Sequence, residues 1–219
     1  MIVTESNEGT KLYLLVGGKG ERLSSVTKGK PKPLVDVNDR PFINYVLKNL
    51  KGFDITLVCS NETYWDFKGY ENIGLEVINE GHRAGTGGFL IKIAEDAPDS
   101  FYVMNGDSYF TGDLNLDVDK STVFVAKELI ADDVGYIRGE NGKVESFVEK
   151  DPTATGYKLV NLGFYKFYKK DITLPMRLPI SIEYDILPNM ELEYKVLNTV
   201  RFDIGTPERL EKFKTWLPT

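Results

Sequence analysis

The stretch Leu12-Tyr-Leu-Leu-Val-Gly-Gly-Lys-Gly-Glu-Arg-Leu23 decides the fold that this sequence predicts. It begins with an apolar run typical of a buried β-strand, and the glycines that follow indicate a loop. Backbone N–H groups in such a loop point outward, and an anion can approach them closely because glycine has no Cβ. The stretch therefore predicts a strand that ends in an anion-binding loop.

Strand and helix patterns alternate along the first half of the chain. Apolar runs predict strands at 12–16, 55–60, 75–78, 101–105 and 122–127, and helical periodicity predicts helices at 42–50 and 86–94. Since strands that alternate with helices form parallel sheets with crossover connections, this half of the chain predicts an α/β fold.

The second half carries closely spaced strand patterns, which favour antiparallel pairing. They lie at 134–137, 144–148, 161–167 and 194–203, and a helix is predicted at 207–216. Together the two halves predict a Rossmann-like three-layer sandwich whose central sheet is mixed but mainly parallel, with a small antiparallel extension. We expect 1–219 to form a single domain, with the polar residues 1–10 as a flexible arm.

Composition excludes several classes of function. The chain has 219 residues with 27 basic and 33 acidic side chains, and no basic block that would suit a nucleic acid. No apolar run approaches the roughly 20 residues that span a bilayer, and the first residues lack the pattern of a signal peptide. We therefore expect a cytoplasmic protein, monomeric or homodimeric, that binds neither nucleic acids nor membranes.

The single cysteine and the single histidine limit the chemistry further. Cys59 lies in the apolar run 55–59 and is interpreted as a buried strand residue, which excludes a disulfide within the chain. His82 is interpreted as a loop residue, and one histidine cannot form a multi-histidine metal site. If the protein is an enzyme, histidine chemistry does not dominate its mechanism.

Two common nucleotide-binding motifs fail on this sequence. The dinucleotide fingerprint needs a third glycine where the chain has Leu23. A P-loop fails because Gly29-Lys30 is followed by proline, and because Ser24 stands where its first glycine should be. An NAD-linked oxidoreductase is accordingly disfavoured.

What remains is Gly-Gly-x-Gly-x-Arg-Leu at 17–23, followed by Pro31-Lys32-Pro33, and it resembles the sugar-1-phosphate nucleotidyltransferases. In that family the arginine and the lysine hold the triphosphate, so the resemblance implies that Arg22 and Lys32 are catalytic. The resemblance further implies a set of nucleotide-binding residues: Leu15, Gly17, Gly18, Lys19, Gly20, Glu80, Gly85, Thr86 and Gly87. Family members usually have leucine where this chain has Ala84 and a small residue where it has Phe89, so the identity of the base stays open.

Two aspartates match the metal ligands of the family. Asp107 follows the predicted strand 101–105, and Asp203 ends the predicted strand 194–203. Two carboxylates supplemented by phosphate oxygens and waters suit Mg²⁺, which rarely accepts a site made of protein ligands alone. On the sugar-phosphate side, the resemblance implies Asn105, Glu149, Lys150, Asn161 and Gly163. The segment 181–188 also resembles a family segment near the sugar, but a capped helix explains it equally well.

The implied reaction joins a nucleoside triphosphate to a sugar 1-phosphate and releases pyrophosphate. Among compact members of the family, the chain most resembles the D-glycero-D-manno-heptose 1-phosphate guanylyltransferases, through 105–110, 147–150 and 202–208. We therefore expect GTP and a heptose 1-phosphate as substrates, in the synthesis of a surface polysaccharide. Uridylyl-, thymidylyl- or cytidylyltransferase activity on another sugar, or a non-catalytic sensor of nucleotide sugars, are the alternatives.

Overall fold

The computed structural model describes residues 8–18, 20–82, 84–112, 114–129, 134–148 and 151–217. The chain divides into two compact units. The first unit comprises 1–82, 104–115 and 199–219, and the second comprises 83–103 and 116–198. The prediction that 1–219 form a single domain stays a prediction. Within the described part of the chain, no helix combines the length and the apolar character needed to cross a membrane.

The strands, in chain order, are β1 (Lys11–Leu15), β2 (Asp36–Val37), β3 (Arg40–Pro41), β4 (Asp54–Cys59), β5 (Glu76–Asn79), β6 (Ser100–Asn105), β7 (Ser108–Phe110), β8 (Thr122–Leu129), β9 (Tyr136–Glu140), β10 (Lys143–Val148), β11 (Tyr157–Tyr168), β12 (Glu193–Val196) and β13 (Arg201–Asp203). The α-helices are α1 (Ser24–Thr27), α2 (Phe42–Asn49), α3 (Tyr64–Phe67), α4 (Phe89–Ile93) and α5 (Pro207–Trp216). Short 3₁₀ turns and one π-helical turn, Ile182–Ile186, connect them.

The first unit contains a parallel sheet in the order β5-β4-β1. The side chains of β1 and β4 are largely buried, as expected for parallel strands covered on both faces. At the C-terminal end of β1, the Leu15 carbonyl accepts a hydrogen bond from Gly106 N at 2.9 Å. This bond places the residues that follow β6 beside the glycine loop.

An aromatic cluster attaches α5 to the rest of the first unit. The ring of Phe213 is fully buried and lies 5.1 Å from Phe42, 5.2 Å from Tyr109 and 5.6 Å from Phe202, measured between centroids. The ring of Trp216 lies 4.7 Å from that of Phe202, tilted by 35°. Because Phe202 belongs to β13 and Tyr109 to β7, packing on α5 holds these two short strands in place.

The second unit is built on a mixed sheet in the order β6-β11-β8-β12-β10-β9. β8 and β11 pair antiparallel, β12 runs parallel to β8, and β9 and β10 form a hairpin. The hairpin turns at Asn141 and Gly142, whose φ angles are 50° and 82°, as a two-residue turn of this kind requires. The core of the second unit contains the buried rings of Tyr102, Phe124 and Phe164.

Most predicted elements are present, with two differences. The strand predicted at 194–203 is two strands: β12 pairs with β8, whereas β13 pairs with β7 in a separate sheet. The helix predicted at 86–94 begins only at Phe89, because Gly85 and Gly87 pack against Ile180 in a turn. Residues 1–7 of the predicted arm lie outside the described residues, whereas Gly9 N donates a 2.7 Å hydrogen bond to Gly52 O.

Candidate active site

The loop after β1 is folded by close backbone packing as well as by glycine's freedom. A Cβ on Gly17 would lie 2.6 Å from Ser60 N and 3.3 Å from Glu80 Oε1. Gly20 has φ +62°, and a Cβ added to it would lie 3.0 Å from the Cβ of Lys32. Gly18, by contrast, is exposed with open space around it. Lys19 lies outside the described residues, so its predicted role stays a prediction.

This folding brings the loop onto the two predicted catalytic cations. Leu23 N donates to Gly20 O at 2.9 Å and closes the short helical turn that carries Arg22. Lys32 begins the next turn, directly after Pro31, and its side chain is only 14% exposed. The loop therefore packs against the Lys32 side chain at Gly20, and Arg22 lies in the turn that follows the loop.

Lys32 and Asp107 form the central ion pair of the site. The Nζ atom of Lys32 lies 2.7 Å from Asp107 Oδ2. Asp107 follows β6, where Gly106 approaches β1 so closely that a Cβ would lie 2.7 Å from Leu15 O. Asn105, at the end of β6, is half-buried in the same segment. A predicted metal ligand and a predicted triphosphate lysine are thus in direct contact.

Strand pairing brings Asp203 close to the Lys32–Asp107 ion pair. In the antiparallel pair β7–β13, Asp203 faces Ser108, and Ile204 N donates to the backbone carbonyl of Asp107 at 3.1 Å. The two aspartates predicted as metal ligands, almost a hundred positions apart in the chain, are therefore neighbours across one two-stranded ladder. The structure brings together Arg22, Lys32, Asp107 and Asp203.

Two further arginines, which the sequence reasoning missed, lie against Asp203. Arg209 Nη1 is 2.9 Å from Asp203 Oδ1, and Arg201 Nη1 is 3.8 Å from Asp203 Oδ2. Arg201 could have been found from the sequence, because residues two apart in a strand share one face. Arg209 could have been found from its position in the first turn of a helix that starts just after Asp203.

The donor set fits a hard divalent cation. Asp107 and Asp203 are backbone neighbours at the β7–β13 ladder, and the described residues contain no group of three or more acidic, histidine or cysteine side chains that could hold a metal. Magnesium suits such a pair because it keeps several waters and completes its coordination with substrate phosphates. Asp107 and Asp203 are the residues that would hold it.

In the second unit, the glycines predicted to approach a nucleotide pack against protein instead. A Cβ on Gly85 would overlap Ile180 O, and one on Gly87 would lie 2.8 Å from the Ile180 side chain. Two backbone bonds join the segments: Ile180 N to Ala84 O at 2.9 Å, and Gly87 N to Ile180 O at 2.8 Å. These contacts give the glycines a structural function, and their nucleotide role stays a prediction.

Thr86 makes hydrogen bonds to the same neighbouring segment. Its hydroxyl donates to Glu183 Oε2 at 3.0 Å and accepts from Ile182 N at 2.9 Å. Ser181 also donates to Glu183 Oε2, at 2.9 Å, and caps the π-helical turn by accepting from Tyr184 N. The capped-helix interpretation of 181–188 is therefore correct as local structure.

Asn161 and Gly163 shape an irregularity in β11. Asn161 Oδ1 accepts from Gly163 N at 2.9 Å, and its Nδ2 donates to the Tyr165 hydroxyl at 3.0 Å. Gly163 has φ +64°, and the pairing with β8 shifts register between Asn161 and Tyr165. Glu149 and Lys150, the other residues predicted on the sugar-phosphate side, lie outside the described residues.

Comparison with known proteins gives a consistent result. A family model described as nucleotidyl transferase matches residues 11–207. The D-glycero-alpha-D-manno-heptose 1-phosphate guanylyltransferase of Campylobacter jejuni is 30% identical over 213 residues, which cover 89% of this chain and 94% of that protein. Probable mannose-1-phosphate guanylyltransferase 1 of Oryza sativa is 31% identical over 224 residues, but this chain spans only 62% of its length.

A solved structure supports the fold. HddC from Yersinia pseudotuberculosis superposes with a TM-score of 0.78 at 27% identity, covering 93% of this chain and 99% of that chain. The same protein has been solved in complex with GMP-PN, and that structure gives a TM-score of 0.77 at 26% identity. The predicted α/β class with a mixed central sheet is confirmed.

Proposed function

Because the chain belongs to the nucleotidyl transferase family, we propose that it joins GTP to D-glycero-D-manno-heptose 1-phosphate and releases pyrophosphate. The predicted membership in the sugar-1-phosphate nucleotidyltransferases is confirmed. The observation that carries the proposal is the β7–β13 pairing, which brings the backbones of Asp107 and Asp203 together, with Lys32 Nζ 2.7 Å from the Asp107 carboxylate. The match to the Campylobacter enzyme, which covers 94% of that protein, supports the choice of GTP and heptose.

In the proposed reaction, a phosphate oxygen of the sugar phosphate attacks the α-phosphorus of GTP in line with the departing group. The new bond joins that oxygen to the α-phosphorus, and the bond to the bridging oxygen of the β-phosphate breaks. The attacking group is already an anion, so no general base is needed. The protein has to hold two anions that repel each other and to stabilise the charge that develops between them.

Each part of the site has a role in this reaction. Arg22 and Lys32 bind the triphosphate, and the glycine loop at 17–20 supplies backbone donors. Asp107 and Asp203 would hold Mg²⁺, which would supply positive charge beside the phosphate oxygens. The remaining nucleotide contacts are Leu15, Glu80, Gly85, Thr86 and Gly87, and the sugar phosphate contacts Asn105, Glu149, Lys150, Asn161 and Gly163. A triphosphate substrate also favours a location in the cytoplasm.

A screen of pyrophosphate release tests the choice of substrates. Purified protein is assayed with GTP, UTP, CTP, dTTP and ATP, each against heptose, mannose and glucose 1-phosphates. We expect the highest kcat/KM with GTP and the heptose. A preference for mannose, the sugar named for the rice relative, would overturn the sugar assignment. Binding of nucleotide without turnover on any sugar would favour the sensor alternative.

Replacing one proposed metal ligand tests the mechanism itself. Asp107→Asn keeps the shape of the side chain but removes its charge, so we expect pyrophosphate release to fall by at least about 100-fold with an unchanged circular dichroism spectrum. Asp39→Asn is the matched control, since Asp39 is exposed in the β2–β3 turn and its φ of 65° suits asparagine. Full activity in Asp107→Asn would contradict the assignment of Asp107 to the metal.

A further inference from the structure

The carboxylate of Asp203 is surrounded by donors. Its side chain is only 16% exposed. Oδ1 accepts from the guanidinium of Arg209 at 2.9 Å and from Gly205 N at 3.0 Å, while Oδ2 lies 3.8 Å from Arg201 Nη1. The group proposed as a metal ligand is thus held by cationic side chains of its own chain.

The first turn of α5 builds this contact. Thr206 caps the helix by accepting from Arg209 N at 3.3 Å, which fixes the backbone of Arg209. Side chains in a helix lean toward its N-terminus, so that of Arg209 turns back to Asp203. Gly205 leaves the necessary space, since a Cβ there would lie 2.8 Å from Asp203 Oδ1 and 3.4 Å from Arg209 Nη1.

Arg22 belongs to the same cluster. Its Nη2 atom lies 3.6 Å from the position that a Cβ on Gly205 would take, while Arg209 Nη1 lies 3.4 Å from that position. The guanidinium that is predicted to bind the triphosphate and the one that binds Asp203 are therefore close neighbours. An anionic phosphate that reaches Arg22 also comes within reach of Arg209.

The second carboxylate is held in the same manner, because Lys32 Nζ lies 2.7 Å from Asp107 Oδ2. A divalent cation that binds both aspartates must come close to an ammonium and a guanidinium group. Repulsion between like charges at a separation of a few ångströms weakens cation binding, and it is relieved when those side chains turn to an anion. A triphosphate supplies that anion.

We propose that Arg209 is a positioning residue that occupies Asp203 in the nucleotide-free protein. A divalent cation then binds weakly on its own and tightly together with the triphosphate, which gives Arg209 a new partner. Arg209 thereby couples metal binding to nucleotide binding at this site. The inference rests on the proposed role of Asp107 and Asp203 as metal ligands, and it does not depend on the identity of the base or the sugar.

The test measures Mn²⁺ binding directly, by titration followed with electron paramagnetic resonance, with and without a GTP analogue whose α,β-bridge is a methylene group. We expect Arg209→Gln to bind Mn²⁺ about tenfold more tightly than the wild type in the absence of nucleotide, because a neighbouring positive charge is lost. The gain in affinity produced by the nucleotide should shrink accordingly. Arg209→Lys, which keeps the charge, should remain close to the wild type.

Lys214→Gln is the matched control. Lys214 lies on the same helix and pairs with Glu211 at 2.7 Å, so the substitution removes the same charge from another part of α5. We expect its Mn²⁺ affinity to equal that of the wild type. Circular dichroism of all variants confirms that the fold is kept.

Two results would overturn the inference, and they have different meanings. If Arg209→Gln leaves nucleotide-free Mn²⁺ affinity unchanged or lower, Arg209 does not restrain the metal site. If Asp203→Asn leaves Mn²⁺ affinity unchanged in the presence of the nucleotide, Asp203 is not a ligand and the metal assignment fails as well. The effect of Arg209→Gln on nucleotide-free Mn²⁺ affinity involves neither the base nor the sugar, whereas a wrong GTP or heptose assignment appears in the substrate screen, so the two failures are distinguishable.

Discussion

At the scale of single residues, two adjacent glycines in the loop after β1 differ in how closely other atoms pack against them. A side chain on Gly17 would meet the backbone nitrogen of Ser60 at 2.6 Å, whereas one on Gly18 would meet no atom within 4 Å. Gly17 is therefore required by the packing of the loop against the end of β4. Gly18 leaves its backbone accessible, which suits contact with a ligand.

Gly17→Ala should accordingly destabilise the protein. A Cβ that overlaps backbone atoms forces the loop or β4 to shift, and overpacking of this kind costs roughly 1–3 kcal/mol. Urea unfolding measures the difference in the free energy of unfolding. Gly18→Ala is the control and should change it by less than about 0.5 kcal/mol. Equal effects of the two substitutions would contradict the packing argument.

Cys59 is buried at the end of β4, as the sequence predicts. Burial raises the pKa of its thiol to about 12, and the negative charges of Glu80 and Asp66 add to the effect. An unfolded cysteine ionises near pH 8.5. The contribution of this thiol to stability is therefore complete below about pH 8.5 and is lost as the pH rises toward 12, because only the unfolded state gains from ionisation.

The thiol of Cys59 should react slowly in the native protein. Thiolates, not thiols, attack disulfide reagents, so we expect the reaction with Ellman's reagent at about pH 8 to be at least ~100-fold slower in native than in unfolded protein. Absorbance at constant reagent concentration follows the rate. Rapid labelling of the native protein would show that Cys59 is accessible.

At the scale of elements, helix α5 packs against the strands that carry the candidate site. Its Phe213 contacts rings on α2, β7 and β13, and its first turn presents Arg209 to Asp203. β7 and β13 are only three residues long each, so their pairing alone is weak. The aromatic cluster supplies the stabilisation that this ladder lacks, and the ladder in turn sets Asp203 beside Asp107.

Phe213→Ala should therefore reduce both stability and metal binding. Removing a fully buried phenylalanine costs about 3–5 kcal/mol, which urea or thermal unfolding measures. Trp65→Ala is the control, because the Trp65 side chain is 78% exposed and its loss should cost less than about 1 kcal/mol. A loss below about 1 kcal/mol for Phe213→Ala would show that α5 is not needed to hold β7 and β13.

At the scale of the whole molecule, the first unit is assembled from three separate parts of the chain, 1–82, 104–115 and 199–219. One part supplies the glycine loop with Arg22 and Lys32, the next supplies Asp107, and the last supplies Asp203 and Arg209. Backbone bonds join the three in series: Gly106 N to Leu15 O, and Ile204 N to Asp107 O. The site forms only when all three parts are folded together.

Much of this could be read from the sequence, for reasons that are local. The run 12–16, the glycines after it and the pair Pro31-Lys32 form patterns over a few residues, and their physical meaning does not depend on distant partners. The resemblance of such patterns to the sugar-1-phosphate nucleotidyltransferases points to Arg22, Lys32, Asp107 and Asp203, whose roles stay predictions. The prediction of a helix at 207–216 is confirmed, since its proline start is a local signal.

Tertiary structure alone decided the rest. The sequence could not show that 194–203 splits into β12 and β13, because each part takes a different partner strand. It could not show that Gly85 and Gly87 fit against Ile180, nor that Arg209 binds Asp203. Local patterns determine which residue types stand at the ends of strands. Which side chains then meet depends on strand pairing and packing over long sequence distances, and these follow from the fold as a whole.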